Sequence, residues 1–281
     1  MKHEYRVTIK GYYTPFETIK LFFLSYFFGL QCRGLYKDLK YFCMFIGYPR
    51  SGHSLVGSLL DAHPNIVISH ELDALYFIKA GFSTRQIYSL ILNNSITFTR
   101  EGRRWKEYAY RVPNQWQGRF DKVLVIGDKK GGETTRRLGN DPHLLIRLLK
   151  RIRKPIKFIH VVRNPYDNIS GIASLMNWSL EKSMKYYFSL CAMNEDLKRC
   201  ILGKNIFEIR HEDLIAQPEN ILMELCEFYE LECGEDYLRD CSAVIFKSPH
   251  SKRQKTNWTP KFIQEVQDRM KAFPFLRGYS F

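Results

Sequence analysis

Residues Gly47 to Ser54 form a candidate anion-binding loop, because they match the phosphate-loop spacing GxxxxGK[ST] with His53 in place of the lysine. A loop of this kind lies between a strand and a helix, where backbone N–H groups and the positive end of the helix dipole attract anions. Arg50 adds a cation, and Ser51 and Ser54 add hydroxyl groups. Nucleoside triphosphatases use the missing lysine to hold their phosphates, so the loop is better suited to a different, diester-like anion. The alternative is an ordinary turn between a strand and a helix that matches the pattern by chance.

Polar residues also end the next predicted strand, 66–71, which finishes with His70 and Glu71. The carboxyl ends of parallel strands meet at one edge of a sheet, so these side chains are expected beside the loop. Successive residues of a strand point in opposite directions, and therefore only one of the two is expected to face the reacting centre. The alternative is a capping role at the helix that begins near Asp73.

Apolar runs without internal charge predict the strands that position these residues. The predicted strands span 41–46, 66–71, 123–126, 157–162 and 205–210, and predicted helices span 133–138, 142–152 and 179–201, with a last one from about 260. This alternation indicates an α/β fold: a three-layer sandwich of the phosphate-loop type, with a mostly parallel central sheet and helices on both faces. A chain of 281 residues that is 45% hydrophobic is long enough for such a core, so we expect one domain over 1–281, with its motifs in 41–260.

The apolar run 21–30 is too short to span a bilayer, which takes about 20 residues, and no signal-peptide cleavage site follows it. We interpret it as an aromatic helix packed on the sheet, with an interfacial membrane anchor as the alternative. No transmembrane segment is therefore expected. Seven cysteines, an odd number without a CxxC pair, favour reduced thiols in a cytoplasmic protein over a zinc site.

Residues 93–121 break helical periodicity and mix basic with aromatic side chains, including Arg103, Lys106 and Trp116. This composition is also typical of nucleic-acid and sugar surfaces, but we interpret the segment as a lid insertion that helps to bind a second substrate. A solvated hairpin is the alternative. The net charge of +14 favours a polyanionic ligand without choosing among nucleotide, nucleic acid, glycan and membrane surface.

The sequence YPRSGHS at 48–54 resembles the 5′-phosphosulfate loop of the sulfotransferases that use 3′-phosphoadenosine 5′-phosphosulfate (PAPS). Most members have [KR]SG[ST][ST] there, so His53 is a departure. The segment DAHPNIVISHE that follows is similar to the Golgi-type and tyrosylprotein members. RNPYDNIS at 163–170 resembles the second signature of the family, RNPxDxxxS, and HEDLIAQPE at 211–219 resembles a further block that normally begins with tyrosine.

The resemblance implies a role for each matching residue. Those expected to bind the donor nucleotide are Arg50, Ser51, Gly52, His53 and Ser54 at the phosphosulfate, Arg163, Ser170, Ser251, Lys252 and Arg253 at the 3′-phosphate, and His211 at the adenine. Those expected to take part in catalysis are Glu71 as the base, Lys129 at the leaving oxygen, and Arg50, His53 and His70. Ser170 comes one residue earlier than the family's serine, which rotates a helical side chain by about 100°, so Ser174 is an alternative. Lys130 is expected to be exposed to solvent.

These assignments imply transfer of the sulfuryl group of PAPS to a hydroxyl or amine, leaving 3′-phosphoadenosine 5′-phosphate (PAP). The expected acceptor is a small molecule such as a phenol, an alkaloid modified by N-sulfation or another natural product, and neither a metal nor a nucleic-acid partner is expected. One rival class is a phosphate-loop kinase or triphosphatase, for which Asp128 is the candidate magnesium ligand at a strand end. The other is a non-catalytic binder of nucleic acid or sulfated glycan, favoured by charge alone.

Overall fold

The computed structural model describes residues 12–248 and 251–281; residues 249 and 250, which precede the predicted 3′-phosphate residues Ser251, Lys252 and Arg253, lie outside these ranges. The strands are β1 Tyr41–Gly47, β2 Ile66–His70, β3 Arg104–Trp105, β4 Tyr108–Ala109, β5 Val125–Lys129, β6 Ile156–Val162 and β7 Ile206–Arg210. Within the described ranges, five of them form one sheet in the order β2-β5-β1-β6-β7, and every neighbouring pair is parallel. The remaining two, β3 and β4, pair as a short antiparallel hairpin.

Helices connect the strands and cover both faces of the sheet. They are α1 Pro15–Gln31, α2 His53–Leu60, α3 Ala74–Lys79, α4 Thr84–Arg100, α5 Gly132–Asn140, α6 Pro142–Ile152, α7 Pro165–Met176, α8 Leu180–Cys200, α9 His211–Ala216, α10 Pro218–Phe228, α11 Glu235–Ala243 and α12 Pro260–Met270. Short 3₁₀ turns occupy Arg33–Tyr36, Gly203–Asn205, Arg253–Lys255 and Pro274–Leu276.

The two faces of the central strand β1 explain the three layers. Side chains alternate along a strand, so Phe42, Met44 and Ile46 enter a core formed with α1, α3, α4 and α6. Cys43 and Phe45 enter a second core formed with α2, α10 and α11 on the opposite face. The strand is apolar throughout because both of its faces are covered. The predicted three-layer α/β fold with a parallel central sheet is therefore confirmed.

Two predicted boundaries differ from the structure. The strand predicted at 123–126 lies at Val125–Lys129, so Lys129 belongs to the strand instead of following it. Helical periodicity does not stop at residue 93, because α4 continues to Arg100 with its polar residues, such as Asn93 and Asn94, buried. The hairpin within 93–121 is confined to residues 104–109. Tertiary packing decided both boundaries, and the local sequence pattern did not reveal it.

Helix α1 contains the N-terminal apolar run and packs against α4. Pro15 at the start of the helix and a capping box between Thr14 and Glu17 fix where it begins. Leu21, Ser25, Phe28 and Gly29 are buried, whereas aromatic side chains on the opposite face are exposed. Within the described ranges, no helix is both long and apolar enough to cross a membrane.

Candidate active site

The strand order places the predicted site residues in a row along one edge of the sheet. Glu71 follows β2 and Lys129 ends β5, while the loop 47–54 follows β1. Arg163 and His211 follow β6 and β7 on the other side of the loop. This edge carries the carboxyl ends of all five parallel strands, which is where ligands bind in open α/β sheets.

The loop 47–54 adopts a conformation that exposes backbone donors. Arg50 and Gly52 have φ angles of 69° and 99°, in the left-handed region. In the described part of the chain, the N–H groups of Gly52, His53 and Ser54 donate to no protein acceptor. A Cβ at Gly52 would lie 2.5 Å from Nδ1 of His211, so glycine is required both by its φ and by this close approach.

His53 is buried at the start of α2 and points its ring into the site. Its Nδ1 lies 3.1 Å from Oγ of Ser51, and its Nε2 lies 3.9 Å from Oε1 of Glu71. Burial, with a further contribution from the positive charge of Lys129, lowers the pKa of His53 to about 3. The imidazole is therefore neutral at physiological pH and hydrogen-bonds without carrying a charge.

Glu71, Lys129 and Ser54 form the central cluster of the site. Nζ of Lys129 donates to Oγ of Ser54 at 2.9 Å and to Oε1 of Glu71 at 2.5 Å. Nζ of Lys130 lies 3.0 Å from the other carboxylate oxygen of Glu71. Lys129 is 1% exposed at its side chain and Glu71 15%, so the pair is largely shielded from water. One buried cation thus contacts both the phosphate loop and a carboxylate.

Strand register holds this cluster together. His70 is the register partner of Lys129 in the β2–β5 pair, so the next residue, Glu71, lies at the end of β5. Its backbone N–H donates to the carbonyl of Lys129 at 3.0 Å, and its φ of 58° turns the chain sharply. Burial alone would raise the pKa of Glu71, but Lys129 and Lys130 outweigh it and hold that pKa well below its ordinary value. Glu71 is therefore a carboxylate across the physiological pH range.

His70 lies behind the site, in an aromatic cluster. Its ring stacks on Phe98 at a centroid distance of 4.1 Å and meets Trp105 edge-on at 5.3 Å. Its backbone N–H donates to the side-chain oxygen of Asn94 at 2.7 Å. Burial lowers the pKa of His70 well below its ordinary value, so this ring is neutral as well.

The residues predicted at the 3′-phosphate are grouped around the N-terminal half of α7. Arg163 donates from Nη1 to the carbonyl of Arg50 at 3.2 Å. Arg253 is engaged by Asp167, which accepts from its backbone N–H at 2.9 Å and from its Nη1 at 3.1 Å. Ser170 is buried, and its Oγ accepts from Nε1 of Trp258 at 3.0 Å.

The other residues considered for the 3′-phosphate site lie at different depths around α7. Gly171, in the place of the family's serine, lies against Arg50, because a Cβ there would be 3.1 Å from Cβ of Arg50. Ser174 is exposed on the far part of α7. Ser251 is half-buried, and Lys252 lines the cleft.

A cleft of about 340 Å³ runs along the sheet edge above these residues. Predicted site residues in its wall are Arg50, Gly52, His53, Ser54, Glu71, Arg163, His211 and Lys252. The other predicted residues do not line the cleft; of these, Ser51, His70, Lys129 and Ser170 are buried, and Ser251 and Arg253 are half-buried. Most of the remaining wall is aromatic or aliphatic, contributed by the hairpin, α7, α8, α9 and the segment that follows α11.

A profile of the sulfotransferase family matches residues 44–236, well over half of the chain. The chain belongs to the sulfotransferase family. It is therefore an enzyme of the PAPS-dependent sulfotransferase class, which confirms the resemblance drawn from the two signatures. A search of curated proteins returned no significant match.

Solved sulfotransferase structures share the fold. The sulfotransferase domain from the curacin biosynthetic pathway aligns with a TM-score of 0.52 at 16% identity, covering 84% of this chain and 97% of that one. Sulfotransferase STF9 from Mycobacterium avium aligns with a TM-score of 0.51 at 10% identity, covering 93% and 86%. At such low identities the likeness concerns the fold alone.

The loop of this sulfotransferase fits a phosphosulfate group. Its backbone N–H groups at Gly52, His53 and Ser54 are available as donors, and the side chain of Arg50 lines the same cleft. Helix N-termini with such groups are anion-binding sites. Asp128, the candidate magnesium ligand of a kinase, is instead fully buried and accepts from Oγ of Ser69 at 2.8 Å and from the N–H of Ala74 at 2.7 Å.

Sequence reasoning missed two features of the sulfotransferase site. The sequence predicts that Lys130 is exposed to solvent, but its side chain is 12% exposed and paired with Glu71. The reason is the turn at Glu71, which brings that carboxylate over the end of β5. The second feature is the cation–π contact between Arg50 and Tyr108, with the guanidinium carbon 5.7 Å from the ring centroid. No local pattern indicates which hairpin residue reaches the loop.

Proposed function

We propose that this sulfotransferase transfers the sulfuryl group of PAPS to a hydroxyl group of a small, largely aromatic acceptor. The observation that carries the proposal is the position of Lys129 between Oγ of Ser54 and the carboxylate of Glu71. A group transfer needs positive charge at the leaving oxygen and a proton acceptor at the attacking oxygen. Lys129 and Glu71 provide these two functions on neighbouring strand ends.

The donor nucleotide is expected to extend from the loop towards β6 and β7. Arg163 and Lys252 provide positive charge on that side for the 3′-phosphate, and both line the cleft. The apolar side chains of Ile215, one helical turn after His211 on α9, and of Phe246 line the same cleft and offer surfaces for the adenine. His211 keeps a flat ring where the family has tyrosine, so we propose that it also contacts the adenine.

The acceptor is expected on the opposite side of the loop, above β2 and β5. Glu71 and Lys130 line the cleft there. Trp105 and Tyr110, which lie around His70 next to Glu71, form one aromatic wall of this part. Apolar side chains from α7 and α8, including Met176, also line the cleft. Walls of this kind are typical of sites that bind a small apolar ligand and orient it with few polar groups.

The proposed reaction forms a bond between the acceptor oxygen and sulfur while the bond from sulfur to the bridging phosphate oxygen breaks. Glu71 takes the proton of the acceptor hydroxyl, and the charge that develops on the leaving phosphate is stabilised by Lys129 and the loop N–H groups. Glu71 is a weak base while both lysines face it. If Lys129 turns towards the leaving oxygen, Glu71 loses its closest cation and its pKa rises, which makes it a better base at that step.

The experiment is a turnover assay with PAPS and a panel of acceptors: simple phenols, aliphatic alcohols, amines, a tyrosine-containing peptide and an oligosaccharide. PAP release and the mass of the sulfated product are both measured, so that hydrolysis of PAPS is distinguished from transfer. The expected result is a sulfated phenol, with the product absent for the Lys129→Met variant, which keeps the length of the side chain and whose folding is checked by its melting temperature. Sulfation of the peptide or the oligosaccharide, with none of the small acceptors modified, would contradict the proposed acceptor class.

A further inference from the structure

We propose that the exposed face of α1 docks this sulfotransferase onto an anionic membrane surface. The face consists of side chains at helical spacing, and we call them the α1 stripe: Phe16, Ile19, Phe23, Tyr26, Phe27 and Leu30. Each of these side chains is between 49% and 77% exposed. Single exposed apolar residues are common on proteins, but a continuous aromatic row on one helix face marks an interaction surface.

The helix is apolar on both faces, and its buried face already has a partner. Phe28 and Gly29 lie against α4, and Phe22 meets Phe82 edge-on at 5.2 Å. A surface helix that needs only one buried face normally carries polar residues on the other face. In α1, by contrast, the exposed face carries the aromatic and aliphatic side chains of the α1 stripe from the first turn to the last. At 17 residues the helix is about 26 Å long, so it is suited to lie in a membrane interface.

Charge selects an anionic lipid surface as the partner. The sequence of α1 contains two charged residues, Glu17 and Lys20, and Glu17 is used to cap the helix at Thr14. Lys20 is exposed one helical turn from Phe16 and from Phe23, on the same face. At the other end of the stripe, exposed Arg85 lines a groove of about 310 Å³ together with Tyr26 and Leu30. Helices that lie at the headgroup level of a bilayer typically combine basic and aromatic side chains in this way.

A second copy of the chain fits this surface less well. A symmetric dimer brings the same patch of each copy together. Lys20 and Arg85 of one copy would then face a patch of the partner copy that carries the same two cations. Like charges brought together in an interface oppose association. The net charge of +14 also makes two copies repel each other, whereas it favours binding to an anionic surface.

The stripe begins beside the cleft of the active site. Tyr12 lies three residues before α1, is 84% exposed and lines that cleft. A membrane bound to the stripe would therefore lie next to the mouth of the cleft. The docking proposal rests on α1 and its neighbours, and it holds whichever acceptor the enzyme uses.

Vesicle flotation of the full chain tests the proposal, with vesicles of pure phosphatidylcholine and of phosphatidylcholine mixed with phosphatidylserine. We expect binding to the mixed vesicles that weakens with salt. The double variant Phe23→Ser/Phe27→Ser should raise the lipid concentration for half-binding by at least about tenfold, because it removes two aromatic side chains that insert into the membrane interface in the proposed bound state. Lys20→Gln should raise it by about fivefold on the anionic vesicles and leave weak binding to neutral vesicles unchanged.

The matched control is Leu202→Ser/Met223→Ser, which removes two exposed apolar side chains from other elements and should bind vesicles like the original chain. An unchanged thermal shift with PAP shows that each variant is folded and keeps its donor site. Failure of the original chain to float at millimolar lipid would overturn the proposal, and so would equal binding by Phe23→Ser/Phe27→Ser. A dimer in sedimentation analysis that this variant abolishes, without vesicle binding, would assign the stripe to a second copy.

Discussion

At the scale of single residues, the site depends on how one buried lysine is shared. Lys129 contacts Ser54 and Glu71 at once, and its burial lowers its own pKa while the Glu71 carboxylate opposes that effect. A buried charge without a counter-charge destabilises the folded state, so Lys129 and Glu71 each offset the cost of burying the other. Replacing either residue is therefore expected to affect folding as well as chemistry, and isosteric variants are the informative ones.

The first prediction concerns Glu71 as the proposed base. Glu71→Gln keeps the shape of the side chain but cannot accept a proton, so kcat should fall by roughly 10²–10⁴-fold. Affinity for PAP should change little, because the donor is expected on the other side of the loop. The two measurements are the rate at which the acceptor is sulfated and the affinity for PAP.

His70→Asn provides the comparison for Glu71→Gln. His70 stacks on Phe98 behind the cleft, and we expect its replacement to lower stability while reducing kcat far less than Glu71→Gln. If His70→Asn is the catalytically dead variant and Glu71→Gln is active, the base has been assigned to the wrong residue of the pair.

The second prediction concerns His53, which stands where the family has threonine or serine. With a pKa of about 3, His53 acts as a neutral hydrogen-bonding group. His53→Thr should therefore retain substantial turnover, because the threonine hydroxyl supplies a donor at the same helix N-terminus. An inactive His53→Thr protein with normal melting temperature and normal PAP affinity would show that the imidazole has a separate catalytic function.

At the scale of elements, the aromatic hairpin β3–β4 is fixed to the loop helix α2 by a buried ion pair. Nη1 of Arg103 lies 2.7 Å from a carboxylate oxygen of Asp61, and both side chains are almost fully buried. Asp61 also accepts from Oγ of Ser95 and from the N–H of Ile68, and Arg103 donates to Oγ of Ser58. The network joins α2, α4, β2 and the hairpin, and it positions the acceptor wall relative to the phosphate loop.

The third prediction concerns this ion pair. Arg103→Met leaves Asp61 buried without its cation and should lower the free energy of unfolding by about 3–5 kcal/mol. Arg104→Met, at an exposed neighbouring position, is the matched control and should change stability by less than about 0.5 kcal/mol. Urea unfolding of the three proteins measures both effects. Equal stability of the two variants would show that the hairpin is held by other contacts.

The same elements show how far the sequence leads. The strands, their parallel direction and the loop 47–54 follow from apolar runs and Gly-bounded turns, because these are local patterns. The pairing of Asp61 with Arg103, shortly after the end of α4 at Arg100, joins residues 42 positions apart in the chain. Lys130 is another case, since its partner Glu71 reaches it only through strand register and a left-handed turn. Contacts of this kind leave no periodic signal in the sequence.

At the scale of the whole molecule, several histidines are buried in neutral form. Burial lowers the pKa of His53 to about 3 and that of His160 to about 4, and it also lowers the pKa of His63 and His70. Below the unfolded value of about 6.5, the unfolded chain binds protons that the native chain does not. Stability is therefore lost as the pH falls through this range.

The fourth prediction follows from these signs. The free energy of unfolding should decrease between pH 7.5 and pH 5.5, by up to about 1.4 kcal/mol per pH unit for each buried histidine below pH 6.5. Three buried carboxyl groups act in the opposite direction, because burial raises the pKa of Asp61, Asp73 and Asp128, that of Asp128 to about 6, but the four histidines outnumber them. Urea unfolding at several pH values measures the slope, and His70→Asn should flatten it. A stability that is constant or rises over this interval would contradict the assignment of neutral histidines.

We propose that a 3′-phosphorylated adenine nucleotide binds along the ends of β1, β6 and β7, and calorimetric titration with PAP tests this binding mode most directly. PAP is expected to bind tightly, whereas ATP with magnesium and short oligonucleotides are expected to bind weakly. Arg163→Ala should reduce the binding free energy of PAP by about 1.5–3 kcal/mol and leave the affinity for adenosine 5′-phosphosulfate, which lacks the 3′-phosphate, nearly unchanged. Equal losses of affinity for PAP and for adenosine 5′-phosphosulfate would contradict this binding mode, and so would ATP with magnesium binding as tightly as PAP.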